Sequence, residues 1–133
     1  MSLRSLSLSL SFLLAGLVLP GCPASQDITP RQACEDTSVA LCERLYACLT
    51  PVEIAAAGLP DSEAACVTTE DAKRGCAAQT VENVCVGNEK YSGIEASRCS
   101  DQVVGLSCSQ VRDPAFQLAT GAPACAKICE VPQ

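Results

Sequence analysis

Cysteine is the residue type in this sequence with the widest range of possible chemistry. The 133 residues contain 11 cysteines and no histidine. A thiol can bind a metal, act as a nucleophile or form a disulfide, and the first two roles usually need a histidine or closely spaced cysteine pairs. Only Cys125 and Cys129 are close in sequence. We therefore expect no metal site, no cofactor and no thiol-based catalysis.

Ten of the cysteines are interpreted as a disulfide framework of about five bridges. A high cysteine content in a short chain is typical of exported proteins, because disulfides persist in an oxidising compartment. The predicted disulfide cysteines are Cys34, Cys42, Cys48, Cys66, Cys76, Cys85, Cys99, Cys108, Cys125 and Cys129.

The charged residues give no catalytic constellation. Glu35-Asp36 and Glu70-Asp71 are adjacent carboxylates, which point about 100° apart on a helix and do not converge on one substrate. Lys73-Arg74 is interpreted as a surface pair of cations. The net charge of −6 argues against nucleic-acid binding, which requires a basic surface. We expect a protein that is not an enzyme.

The first residues are predicted to be an export signal spanning residues 1–21. Arg4 is the only charge ahead of the apolar run Leu6–Leu19, and this run is shorter than the roughly 20 residues that a membrane span requires. The sequence at its end, Leu19-Pro20-Gly21-Cys22, resembles the lipobox of bacterial lipoproteins.

The lipobox resemblance implies that Cys22 is the first mature residue and the lipidated one, carrying acyl groups such as palmitate. Pro20 departs from the alanine, serine or threonine usual in that family. Pro23 follows the cysteine in place of the aspartate that retains such proteins at the inner membrane, which favours the outer membrane. The alternative is an ordinary secretory signal cut nearby, which leaves Cys22 as a thiol.

The rest of the chain is divided into a lipidated cysteine and short tether over 22–29 and a cysteine-rich helical domain over 30–133. Thr29-Pro30 is a typical helix start, with a threonine cap and a proline at the first position. This first helix is predicted to reach Leu49. Further helix starts are predicted at Thr50-Pro51, at Asp61 or Ser62 (running to about Ala78), at Ser92 and at Asp113-Pro114.

The predicted fold class is therefore all-α, with at most a short extended segment near Val81–Val86. Few aromatic residues and many alanines predict a core of small side chains, which depends on the disulfides for stability.

Helix geometry restricts the disulfide pairings. Cys34, Cys42 and Cys48 lie on one face of the first predicted helix. Eight residues of helix span about 12 Å, whereas a disulfide allows at most about 7 Å between Cα atoms. These three cysteines are therefore expected to pair elsewhere in the chain, and Cys66 is not expected to pair with Cys76. The remaining pairings are open.

Three classes of function follow. The leading one is a lipid-anchored envelope or surface module that works without catalysis, bound to the membrane through its lipid and to another envelope protein as a possible partner. The alternative is a carrier of a small ligand or lipid, which needs a cavity, and the small core residues give no sign of one. An enzyme would need a cleft that gathers carboxylates from separate helices.

Two family comparisons bear on these classes. Plant lipid-transfer proteins and seed albumins contain adjacent Cys-Cys and Cys-x-Cys motifs, and this sequence has neither. The lipobox, spaced cysteines and alanine-rich helices together resemble the small cysteine-rich lipoproteins of myxobacteria-like bacteria, a likeness that implies no particular activity.

Overall fold

The computed structural model describes residues 27–131, which form a small helical protein. The predicted all-α class is confirmed. Its six α-helices are α1 (Pro30–Cys48), α2 (Pro51–Ala56), α3 (Glu63–Arg74), α4 (Gly93–Val104), α5 (Cys108–Arg112) and α6 (Leu118–Gly121). Two 3₁₀ turns, Cys76–Ala78 and Pro123–Lys127, and two short strands, β1 (Lys90–Tyr91) and β2 (Cys129–Glu130), complete the described elements.

Helix α1 is the central element. The Thr29 side chain accepts a hydrogen bond from the Gln32 backbone N–H at 3.3 Å, and Pro30 occupies the first turn, so the helix begins where the sequence predicts. Helices α3, α4 and α5 all pack against α1. The position of α1 therefore determines how the other elements are arranged.

The core is built from small side chains, as predicted. Val103 is the largest side chain that is fully buried, and Leu106 is 2% exposed. Most of the other buried hydrophobic residues are alanines and disulfide-bonded cysteines. Because each small side chain contributes little hydrophobic stabilisation, covalent cross-links take a larger share of the stability.

Helix α3 ends earlier than the sequence analysis predicts. Its last residue is Arg74, and Gly75 follows in the left-handed conformation with φ of +66°. A glycine reaches this conformation without the penalty that a Cβ atom brings, and it commonly ends helices. The predicted continuation to Ala78 is therefore wrong, and Cys76–Ala78 forms a separate 3₁₀ turn.

The predicted short extended segment is present as a small two-stranded sheet, whose first strand, β1, follows shortly after the run Val81–Val86. Val81–Val86 forms turns, because the Asn83 side chain accepts from the Thr80 N–H at 2.8 Å and donates to the Ala78 carbonyl at 2.8 Å. The strands are β1 and β2, which pair antiparallel in a two-stranded sheet.

The helix predicted from Asp113-Pro114 is also displaced. The Asp113 carboxylate accepts from the Ala115 N–H at 2.8 Å and holds a turn there, and α6 begins only at Leu118. Helix α5 precedes this turn. A reciprocal capping box between Ser107 and Gln110 starts it, and the sequence analysis did not predict this helix.

Five disulfides join the ten predicted cysteines, with Cα–Cα distances between 4.6 and 5.9 Å. The expected number of bridges is confirmed. The pairs are Cys34–Cys76, Cys42–Cys66, Cys48–Cys108, Cys85–Cys129 and Cys99–Cys125. All three cysteines of α1 thus pair outside that helix, as helix geometry requires.

The disulfides form two nested sets. In the first half of the described chain, Cys42–Cys66 lies inside the loop closed by Cys34–Cys76. In the second half, Cys99–Cys125 lies inside the loop closed by Cys85–Cys129. The fifth bridge, Cys48–Cys108, joins the two halves.

Candidate functional site

An apolar cleft of about 420 Å³ lies between the first turns of α1 and the surrounding elements. Small-molecule sites in proteins have volumes of about 300–1,000 Å³ and mostly apolar walls. The small core residues do not predict a cavity, and the structure contains this open cleft beside the core. The lining residues are Pro30, Ala33, Cys34, Thr37, Arg74, Gln79, Val84, Tyr91, Cys99, Leu118, Cys125 and Ile128.

Two disulfides hold the walls of the cleft. Cys34–Cys76 fixes α1 to the turn after α3, and Cys99–Cys125 fixes α4 to the turn that follows α6. Ala33 contributes only a methyl group on the side of α1 that lines the cleft. The small side chains therefore leave space for the cleft next to the core. The two disulfides hold the walls of the cleft apart.

The neutral polar groups of the cleft are engaged within the protein. The Thr37 hydroxyl donates to the Ala33 carbonyl at 2.7 Å and lies 3.1 Å from the Ser100 hydroxyl. The Gln79 amide nitrogen donates to the Arg74 carbonyl at 3.2 Å. These hydrogen bonds fix the side chains and leave the apolar surface as the main contact for a ligand.

Arg74 is the one cationic side chain among the lining residues described. The sequence predicts that Lys73 and Arg74 form a surface pair of cations. The two differ in the structure, because the Lys73 side chain is 64% exposed and that of Arg74 is 30% exposed. Glu70 contacts both, with Lys73 Nζ at 3.0 Å and Arg74 Nε at 3.6 Å. Lys73 thus remains a surface cation, whereas Arg74 belongs to the cleft.

Tyr91 anchors the start of the described chain beside the cleft. Its hydroxyl donates to the Ile28 carbonyl at 2.9 Å. Burial, and secondarily the negative charge of Asp27, raises the pKa of Tyr91 to about 12. The phenol is therefore neutral at physiological pH and acts as a hydrogen-bond donor.

A second, shallower groove of about 270 Å³ lies between α1 and α4 and brings together carboxylates from both helices. Asp36, Glu43 and Asp101 line it. This is the kind of arrangement that would favour an enzyme. However, all three residues are exposed to solvent. The pKa of Asp36 is raised by partial desolvation and secondarily by the negative charge of Glu35. Within residues 27–131, no three carboxylates or cysteines are grouped closely enough to hold a metal ion.

In each of the two pairs of adjacent carboxylates, one member forms ion pairs on its own helix. Glu35 binds Arg31 through its Oε1 atom at 2.8 Å, and Glu70 binds the two cations described above. Ion pairs of this kind on one helix face contribute little stability and are typical of a solvated surface.

The cleft could not be found from sequence motifs. Its residues come from α1, the end of α3, the turn segment containing Val84, β1, α4, α6 and the turn before β2. No single sequence motif contains residues from two of these segments. The disulfides and the packing of the helices bring the segments together.

No protein-family model, curated protein or solved structure matches this chain. The fold and cleft define a class in physical terms alone: a small all-α protein, cross-linked by five disulfides, with an apolar cleft and one cation at its wall. Among the residues that the structure describes, none of the helices is both long and apolar enough to span a bilayer. The predicted lipidation residue, Cys22, and the predicted signal over 1–21 lie outside the described residues.

Proposed function

We propose that the protein is exported, lipidated at Cys22 and held at the bacterial envelope, where its disulfide-stabilised domain works without catalysis. In this proposal the lipid anchor binds the membrane, the outer membrane is favoured over the inner, and another envelope protein is a possible partner. The molecule binds no nucleic acid, in keeping with its net charge of −6.

The observation that carries this proposal is that the cysteines of the described domain are all paired in disulfides. Ten of the 11 cysteines pair with one another in the described domain. Disulfides in such number require an oxidising compartment, which supports export. The eleventh cysteine, Cys22, is the one that ends the lipobox-like sequence, so an even disulfide framework and one lipidated residue together account for the odd total.

The length of the proposed tether adds a geometric consequence. Asp27, the first described residue, follows Cys22 by five positions. Five residues of fully extended chain reach at most about 18 Å. An anchor at Cys22 therefore keeps the end of the domain that carries Asp27 and Tyr91 close to the bilayer surface.

Intact-mass measurement of the protein recovered from its native membrane tests this proposal. We expect cleavage before Cys22, an added mass equal to a diacylglycerol group, and no thiol that alkylates without a reductant. The matched control is Cys22→Ser, which should abolish the added mass and leave the five disulfides intact. An uncleaved N-terminus or several alkylated thiols in the native protein would contradict both export and the framework.

The apolar cleft favours a second candidate function, a carrier of a small apolar ligand or lipid. Its volume lies within the range of ligand sites, and two disulfides hold it in shape. Organic extraction of the purified protein, followed by mass spectrometry, tests this candidate. An apolar compound recovered in molar proportion supports a carrier, and an extract identical to that from a control protein purified in parallel counts against it.

A further inference from the structure

The charge of the residues that line the cleft indicates which kind of head group an apolar ligand would carry. In a protein of net charge −6, none of the described lining residues is a carboxylate, and Arg74 is a cation. We propose that the cleft binds a single-chain amphiphile with an anionic head group, such as a fatty acid, with the head group at Arg74. This inference rests on the carrier candidate and specifies its ligand class.

Arg74 retains the capacity to bind an anion. Its Nε atom lies 3.6 Å from Glu70, beyond the 2.7–3.2 Å typical of an N–H···O hydrogen bond. Glu70 contacts Lys73 through Oε1 and Arg74 Nε through Oε2, so this ion pair involves only the Nε side of the guanidinium. A carboxylate can accept two parallel hydrogen bonds from one guanidinium, and such charge-assisted bonds are stronger than neutral ones.

The rest of the cleft suits an alkyl chain. Val84, Leu118 and Ile128 line it together with two disulfides. Its neutral polar side chains are held by internal hydrogen bonds, so they offer little that would hold a second polar group. At Tyr91 the negative charge of Asp27 disfavours an anion. The head group is therefore assigned to Arg74 and the chain to the apolar walls.

Binding of three probes with the same alkyl chain tests the assignment: decanoate, decanol and decylammonium. The protein is the chain from Cys22 onward, released behind a cleavable secretory signal, which contains every described element and all five disulfides. It carries Cys22→Ser so that no acyl group of its own competes for the cleft. Isothermal titration calorimetry at pH 7.5 gives the dissociation constants.

The expected order of affinity is decanoate, then decanol, then decylammonium. Arg74→Gln should weaken decanoate binding about tenfold and leave decanol binding nearly unchanged, since one charge-assisted interaction is lost. Lys73→Gln is the matched control, because Lys73 neighbours Arg74 and also contacts Glu70 but does not line the cleft. It should leave the order of affinities unchanged.

A second pair of variants locates the binding. Val84→Trp should weaken decanoate and decanol alike by filling the cleft, whereas Val81→Trp, in the same turn segment but 59% exposed and outside the cleft, should weaken neither. If decanol binds as tightly as decanoate, or if Arg74→Gln and Lys73→Gln act alike, the head-group assignment is wrong and the carrier candidate stands. If none of the probes binds, the carrier candidate itself fails.

Discussion

The hydroxyl of Tyr91 donates a hydrogen bond to the carbonyl oxygen of Ile28 at 2.9 Å. This contact joins β1 to the segment that enters α1. The same segment lies against Gly93, where a Cβ atom would come within 2.5 Å of the Ile28 oxygen. Two residues near the start of α4 thus fix the path by which the chain enters the domain.

Titration of Tyr91 can be observed directly. The protein has two tyrosines and no tryptophan, so phenolate absorbance near 295 nm reports on few groups. Because burial raises the pKa of Tyr91 to about 12, its neutral form is favoured. The associated stability is complete below pH 10 and is lost as the pH rises through 12. We expect a late absorbance step near pH 12 in rapid pH jumps.

Tyr91→Phe should abolish this late step, and Tyr46→Phe should leave it in place. A late step that survives in Tyr91→Phe would show that another group causes it. The rapid jump records the absorbance before alkali attacks the disulfides.

Gly93→Ala should destabilise the protein by about 1–3 kcal/mol, since the added methyl group overlaps the backbone of Ile28. Thermal unfolding with the disulfides intact measures the change. Gly105→Ala is the control: Gly105 follows the same helix in an ordinary right-handed conformation, and its nearest neighbours would lie 3.5 Å from a Cβ atom. We expect it to be neutral or slightly stabilising. Equal effects of the two substitutions would contradict the close approach at Gly93.

Glu53 should make the stability depend on acidic pH. The Thr50 backbone N–H and hydroxyl both donate to its carboxylate, at 2.7 and 2.9 Å, and these bonds lower the pKa of Glu53. The ionised form is thus favoured in the folded state. Its contribution is present above the unfolded pKa of about 4.3 and is lost as the pH falls through the lower folded value.

Glu53→Gln should therefore lower the melting temperature at pH 7, and the difference from the native protein should shrink at pH 3. Glu63→Gln is the control, because Glu63 lies in the first turn of α3 and its side chain forms no hydrogen bond within residues 27–131. A constant difference across this pH range for Glu53→Gln would contradict the role of its charge.

The disulfides should open in an order set by their exposure. Cys42 and Cys66 are 0% and 1% exposed, whereas Cys85 and Cys129 are only partly buried. Thiol–disulfide exchange requires access to a sulfur atom. During limited reduction we expect Cys85–Cys129 to alkylate first and Cys42–Cys66 last. Peptide mapping at successive times gives the order, and early alkylation of Cys42 would contradict it.

Local signals in the sequence predict much of the helical structure. Thr29 and Pro30 start α1, and Thr50 with Glu53 forms the capping box that starts α2. These interactions span three or four residues, so the local sequence determines them. The same kind of signal at Ser107 and Gln110 starts α5, which the sequence analysis missed although the motif is present.

Features that depend on distant contacts could not be predicted. The β-branched run over 81–86 favours a strand, but Asn83 turns the chain there with two side-chain hydrogen bonds. The observed strands are two residues long, and they pair residues that are distant in sequence, with Tyr91 opposite Cys129. Arg74 and Leu118 line the same cleft because the packing of the helices brings them together. No periodicity in the sequence indicates this arrangement.

The nested disulfides have a consequence for a chain that is cut. Of the five bridges, only Cys48–Cys108 spans the exposed turn containing Glu82. A glutamyl endopeptidase that cuts there should yield one band on a denaturing gel without reductant and two bands with it. With Cys48 and Cys108 both replaced by alanine, the two fragments should separate without reductant. Once the helix packing is lost, a single covalent link thus decides whether a nicked molecule stays in one piece, whereas in the native state the packing of α4 and α5 against α1 also holds the fragments together.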